Sequence, residues 1–193
     1  MSDPLVIRPL TADFIADFVT LFGPSGACYG CWCTAFRLAP KLRAASDGDT
    51  RREIMLARIA AGPPPGLLAW SGGVPVGWMQ IGPRADVPEW NNPRRATTAL
   101  PDAPANDPAV WAISCFFIQS RHRGRGLSHD LVTAGIAFAR ENGARVLEAA
   151  PMDRAKQSKS IGLFVGSTQV FAKAGFAEVA RQKPGRPLMR LTL

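Results

Sequence analysis

Apolar and polar positions change period along the chain, and the changes predict its elements. Leu5 to Leu10 reads as a first strand. Phe14, Phe18 and Leu21, with Ile15, Val19 and Phe22, recur at helical spacing and predict a helix over residues 12–22 with a broad apolar face. Thr11 is placed to cap it, Asp13 suits its first turn, and Gly23-Pro24 stops it. Thr50-Arg51-Arg52-Glu53 has the capping-box pattern, predicting a helix from about Arg51 to Ala61, ended by Gly62 and Pro63 to Pro65. Gly66 to Ser71 and Val74 to Ile81 form a predicted hairpin around Gly72-Gly73.

Val110 to Ile118 is almost wholly apolar, as expected of a strand buried on both faces. Leu127, Leu131, Ala134 or Gly135, and Phe138 then mark the inner face of a helix from about Ser128 to Asn142, with Gly143 as its stop. Arg145 to Ala150 is the next strand, interrupted by Glu148 and ended by Pro151. Met152 to Gly166 is a polar connector carrying Lys156 and Lys159. Ser167 to Ala174 is a short helix closed by Gly175, and Ala177 to Gln182 with Leu188 to Leu193 makes a last hairpin around Pro184-Gly185. No repeat and no second domain is visible, so residues 1–193 are read as one domain.

Between the first hairpin and the long apolar strand, the composition changes. Gly82 to Pro108 holds six prolines, paired asparagines and few apolar residues. This insertion, at about 82–109, reads as an irregular loop, and a loop of that length is usually functional or disordered. Either it covers a substrate pocket, with Glu89 and Trp90 in it, or it is a mobile surface insertion.

The turn after the apolar strand carries the chemistry. Arg121-His122-Arg123-Gly124-Arg125-Gly126 joins a strand to a helix, with Leu127 and Ser128 opening the helix. The first amides of a helix have no intrahelical acceptor, and the helix dipole adds positive character. Glycines let the main chain approach a ligand. A diphosphate could be held mostly by backbone, with arginines neutralising the remaining charge. The run is not a Walker loop, and His129 stands where a dinucleotide fingerprint needs its third glycine.

Arg121-x-x-Gly124-x-Gly126 matches the [QR]-x-x-G-x-[GA] acyl-CoA loop, and Val170-Phe171-Ala172-Lys173-Ala174-Gly175-Phe176 looks like the late helix-then-Gly-Phe element of the same family. On these residues and their setting the chain resembles the GNAT superfamily of acyl-CoA N-acyltransferases. The resemblance covers the order of elements over nearly the whole chain. It implies an α/β fold with a mixed, mostly antiparallel central sheet flanked by helices. It implies acetyl-CoA as co-substrate, with the pyrophosphate on the amides of the loop (Arg121, Arg123, Gly124, Arg125, Gly126, Leu127, Ser128) and the pantetheine arm along the preceding strand, where Phe116 and Ile118 lie. It implies direct transfer of an acetyl group to a primary amine, with an oxyanion donor near Phe116.

Catalytic groups are less determined. A lysine-like amine has a pKa of about 10.4, so holding it neutral near pH 7.4 costs roughly 4 kcal/mol, and a carboxylate can take the proton directly or through water. Glu148 is the first candidate because a carboxylate in an apolar strand needs a partner or a role; an outward-facing residue is the alternative, and Glu89 is the second candidate. His122 and His129 read as cofactor contacts or surface residues. The family's usual tyrosine acid is matched here by Phe171, which cannot donate and would pack against pantetheine; Ser167, Tyr29 or water could protonate the thiolate instead.

Cys28-Tyr29-Gly30-Cys31-Trp32-Cys33 invites a metal reading, with Cys115 as a fourth ligand, but no histidine is near in sequence. Apolar packing, or a place beside the acceptor pocket, are the other readings, and no metal is assigned. A Cys115 nucleophile would mean ping-pong chemistry, against the family's direct transfer. The net charge of +8 points to an anionic partner. Coenzyme A satisfies that; nucleic acid would rest on charge alone, since no run of five basic residues occurs. Apolar runs are too short to span a bilayer and no secretory leader is visible, so a cytoplasmic protein with reduced cysteines is expected, with no membrane partner and a homodimer left open. A non-catalytic CoA-binding sensor or regulatory module is the alternative function.

Overall fold

The structure is a computed structural model that describes residues 4–153 and 163–193. Seven strands form one sheet in the order β1-β2-β3-β4-β5-β7-β6. They are β1 Leu5–Pro9, β2 Gly66–Ser71, β3 Val74–Pro83, β4 Val110–Ile118, β5 Val146–Ala149, β6 Ala177–Lys183 and β7 Arg186–Thr192. All neighbours run antiparallel except β4 and β5. The helices are α1 Ile15–Phe22, α2 Pro40–Ala45, α3 Gly48–Ala61, α4 Leu127–Glu141 and α5 Thr168–Lys173.

Each face of the sheet has its own core. On one, Phe18, Phe22, Met55 and Ile59 from α1 and α3 close over Leu68, Trp78 and Cys115. On the other, Leu131, Val132 and Phe138 of α4 and Phe171 of α5 close over Met79, Ile81, Ile113 and Phe116. Helix α4 sits very close to β3: a Cβ at Gly135 would fall 2.5 Å from Met79 Cε, so a larger residue there would require the Met79 side chain to shift.

The predicted strands lie where the pattern puts them, within a residue or two, as do α4 and α5. Helix starts differ. Residues 12–14 form a 3-10 turn and the α-helix begins at Ile15; the Thr11 hydroxyl meets Asp13 at 3.4 Å and caps nothing. The Thr50 box does not open the next helix either. α3 begins three residues earlier than expected, at Gly48, because Asp47 Oδ1 accepts from the Thr50 amide at 2.8 Å. This bond and the Thr50 hydroxyl hold the Asp47 carboxyl below its ordinary range. Helix α2 has no apolar stripe, and Leu42 is exposed, so periodicity gave no sign of it.

The proline-rich loop is not a loose insertion. It makes two 3-10 turns, Arg84–Asp86 and Pro88–Asn91, and buries Val87, Trp90, Ala96 and Ala103. Three of these, Val87, Trp90 and Ala96, join Phe36, Ala112, Ala150, Val165 and Leu188 in a third core on the α1 side of the sheet. No helix among the described residues is long and apolar enough to cross a membrane.

Candidate active site

β4 and β5 pair only through Val110–Ile113 and Val146–Ala149, after which Pro151 takes the second strand away. The remaining half of β4, Ser114 to Ile118, is paired with β3 alone. Among the described residues its other edge is open, with the turn at Leu163–Val165 running beside it. The register between Gln80 and Ile81 skips Ser114, so a bulge marks the point where the two strands part. A strand with one free edge offers a row of main-chain donors and acceptors to an extended ligand.

The turn at the end of β4 continues that row. Residues Ser120–His122 form a 3-10 turn, and Arg123 Nε donates to the Ile118 carbonyl at 2.8 Å, tying the turn back to the strand. The amides of His122 and Arg123 are used inside the turn. The next five, Gly124 to Ser128, have no backbone acceptor among the described residues. Gly124 and Gly126 hold φ of +74° and +88°, which L side chains rarely adopt, and no other group stands within 4 Å of where a Cβ would lie. Arg121 and Arg125 are exposed around these amides. Leu127 turns its side chain into the core, towards Gly77, while its N–H stays in the row. Five donors without a backbone acceptor among the described residues, two bare glycines, a 15-residue helix behind them and flanking guanidinium groups are features that suit an anionic ligand.

The candidate catalytic residues do not converge on this opening. Glu148 is fully buried between two arginines: Oε2 accepts from Arg84 Nη1, and Oε1 accepts from Arg190 Nη2 at 2.7 Å and Nε at 3.0 Å. Arg84 is itself fully buried, bonded to Asn91 and stacked 4.7 Å from the Trp90 ring centroid. Burial pushes its guanidinium below the ordinary arginine range, against the pull of Glu148. Arg190 extends the chain to Asp102 at 2.6 Å. Glu148 thus does not face outward, and both of its oxygens are engaged by arginine.

Phe171 is also enclosed. Its ring packs edge-on against Phe116 and Phe176 at 6.1 and 5.1 Å, with no exposed surface. Its place is in the core that supports β4, not on a cofactor-facing wall. Phe116 is buried beside it, and Ile118 is half-buried on the strand. Tyr29 is 83 % exposed, in a strained turn on the α1 side of the sheet. Ser167 is half-buried at the start of α5, directly after Gly166, whose Cβ position lies 3.3 Å from the Phe116 ring. Ser167 is therefore the candidate acid that the fold brings nearest to the open half of β4. Glu89 is paired with Arg95 at 3.3 Å. His122 accepts from Arg121 Nε at 3.2 Å within the turn. Lys156 and Lys159 lie outside the described residues.

Sequence reasoning missed Arg37 as a largely buried residue. Arg37 is bonded to the Asp86 carbonyl at 3.0 Å, and burial, then the neighbouring charge of Arg58, pushes it down to about 10. Nothing in the spacing of Arg37 marks it as interior; only the closure of the proline-rich loop over it does. Among the described residues no group of three or more His, Cys, Asp or Glu side chains is placed to hold a metal ion.

Comparison with known proteins bears on the family and the fold. The model of the acetyltransferase (GNAT) family matches residues 32–165. No curated protein matches the chain. Among solved structures, the chain is similar to yncA from Salmonella typhimurium, described as a putative acetyltransferase with its cofactor acetyl-CoA, at 20 % identity and a TM-score of 0.54, covering 98 % of this chain and 94 % of that one. It is similar to the GNAT domain of S. lividans PAT at 18 % identity and 0.55, covering 97 % and 89 %. It is also similar to the PaiA N-acetyltransferase of Thermoplasma acidophilum, solved with coenzyme A, at 10 % and 0.55, covering 98 % and 99 %.

Proposed function

The chain belongs to the acetyltransferase (GNAT) family, and we propose that on this scaffold it transfers an acetyl group from acetyl-CoA to a primary amine by direct attack. The observation that carries the reading is the run of five free amides from Gly124 to Ser128 at the end of a strand with an open edge. Each amide bond to a charged oxygen is worth roughly 1.5–3 kcal/mol net, so three or four of them fix a diphosphate without a dedicated lysine. Arg121 and Arg125 offset its remaining charge, and Arg123 holds the turn in shape. The open edge from Ser114 to Ile118 receives the pantetheine arm, because its amide groups need an extended partner that donates and accepts alternately.

The thioester supplies an activated acyl group and a thiolate that leaves readily. The protein supplies position and main-chain dipoles. A main-chain N–H near the Ser114 bulge and Phe116 stabilises the developing oxyanion, where a fixed donor costs no reorganisation. Ser167 is assigned the hydroxyl that protonates the departing thiolate, directly or through water. With Glu148 committed to its arginines, the attacking amine loses its proton to water or to Glu89, which is partly exposed beside Arg95.

Thiol release from acetyl-CoA across a panel of primary amines tests the proposal. Amine-dependent release, with a slower rate in Ser167→Ala, is expected. Tight acetyl-CoA binding with no release for any amine would leave a CoA-binding module and refute the transferase reading.

A further inference from the structure

Acetyl transfer leaves the cysteine-rich run without a role, yet one of its thiols meets the fourth cysteine in space. Cys33 Sγ lies 3.5 Å from Cys115 Sγ, across 82 positions of sequence, and both are buried and free. A disulfide bond is about 2.05 Å long. The sulfurs stand about 1.5 Å beyond bonding distance and are in direct contact.

Two independent elements hold the sulfurs together. Cys115 is fixed in β4, opposite Gln80. Cys33 is pinned from the other side: Trp78 Nε1 donates to its sulfur at 3.0 Å, and the Gln80 amide, oriented to suit its neighbours, donates to its carbonyl at 3.0 Å. The segment around Cys33 is held under strain, with positive φ at Ala27, Tyr29, Trp32 and Cys33. Trp32 is anchored by stacking on Phe22 at 5.5 Å and 13°. Such strain persists only where the surroundings fix the conformation, and here the fixed conformation delivers Cys33 to Cys115.

We propose that Cys33 and Cys115 form a redox pair that closes to a disulfide with hydrogen peroxide as oxidant, tethering the strained segment to the cofactor-side strand. One sulfur attacks a peroxide oxygen, the O–O bond breaks, and a sulfenic acid and water result. The second thiol attacks the sulfenic sulfur, the S–O bond breaks, and a second water leaves with the remaining proton. Two thiols are oxidised by two electrons and one peroxide is reduced to two waters. Burial and contact with Cys115 push the Cys33 thiol up, while the Trp78 N–H and the Arg37 charge act the other way. Closure is therefore slow and selective for an oxidant small enough to enter. The pair stands one residue from Phe116, so the oxidised form has a fixed acceptor-side wall next to the acetyl site.

The test uses the native full chain treated with hydrogen peroxide, quenched in acid and digested without reductant. The expected result is a mass lower by two hydrogens, one linked peptide pair carrying Cys33 and Cys115, reversal by dithiothreitol and a higher Tm for the oxidised form. In Cys115→Ala that linked pair is absent. A bond joining Cys28 to Cys31 instead, sulfinic acid on Cys33 or Cys115, or both thiols still free after peroxide treatment would overturn the proposal. The peptide map on the wild-type chain decides the matter even if the alanine variant does not fold.

Discussion

Two groups of arginines in the molecule are built in opposite ways. Around Glu148, two arginines and a carboxylate lie in the interior with nearly every donor and acceptor engaged. Around Gly124, arginines lie at the surface and the main chain beneath them is unengaged. A buried charge survives only when it is paired, so the Glu148 carboxylate is satisfied without a ligand, and Arg84 Nη2 is the one buried side-chain atom of the cluster with no hydrogen-bond partner among the described residues. Free amides at an exposed helix start cost little in water, so the second can wait for one. Completion marks a structural site and incompletion a binding site, and that contrast separates the two more sharply than residue type does.

The largest expected effect breaks the interior cluster. Arg84→Ala leaves a buried carboxylate half-uncompensated and should lower stability by about 3–5 kcal/mol, read as a shift in the urea midpoint. Glu148→Gln should also lower the midpoint while leaving the shape of the pH–rate profile unchanged. A lost limb in that profile, with stability intact, would restore Glu148 as a base. Next comes the loop: Gly124→Glu should weaken acetyl-CoA at least a hundredfold, about 2.7 kcal/mol, with a fall in Tm no larger than that of Gly124→Ala, and unchanged calorimetric affinity would erase the contrast between the clusters. Gly124→Ala is a finer probe. The added methyl meets no neighbour, so its cost should be the left-handed backbone alone, roughly 1–2 kcal/mol of stability.

The smallest effect concerns a helix cap. Asp47→Ala should lower Tm slightly and Thr50→Ala less, because the Thr50 side chain does not open α3. The Asp47 carboxyl is held below its ordinary value, so its contribution is present above the unfolded-state pKa and lost as pH falls through the lower folded value. A thermal melt series from neutral to strongly acid pH should show the Asp47→Ala difference vanish at the acid end.

Strand positions and the glycine turn at residues 124–126 were legible because they depend on local pattern. Val110 to Ile118 has the run of apolar residues that burial on both faces demands, and the two glycines mark where the chain must turn left-handed. Cap choice was legible only in part, since Asp47 and Thr50 compete for one helix start and tertiary packing decides. The role of Glu148 was hidden, because its partners Arg84 and Arg190 stand 64 and 42 positions away. The proline-rich loop misled for the same reason. Its composition reads as irregular, and irregular it is, but Trp90 and Val87 bury it on contacts that no local window contains.

The central claim concerns main-chain hydrogens, and amide NMR observes them directly. On titration with acetyl-CoA, the amide proton resonances of Gly124 to Ser128 should move downfield together, while the backbone and guanidinium signals of Arg84 and Arg190 stay in place. Saturable binding with those five resonances unmoved would contradict the account.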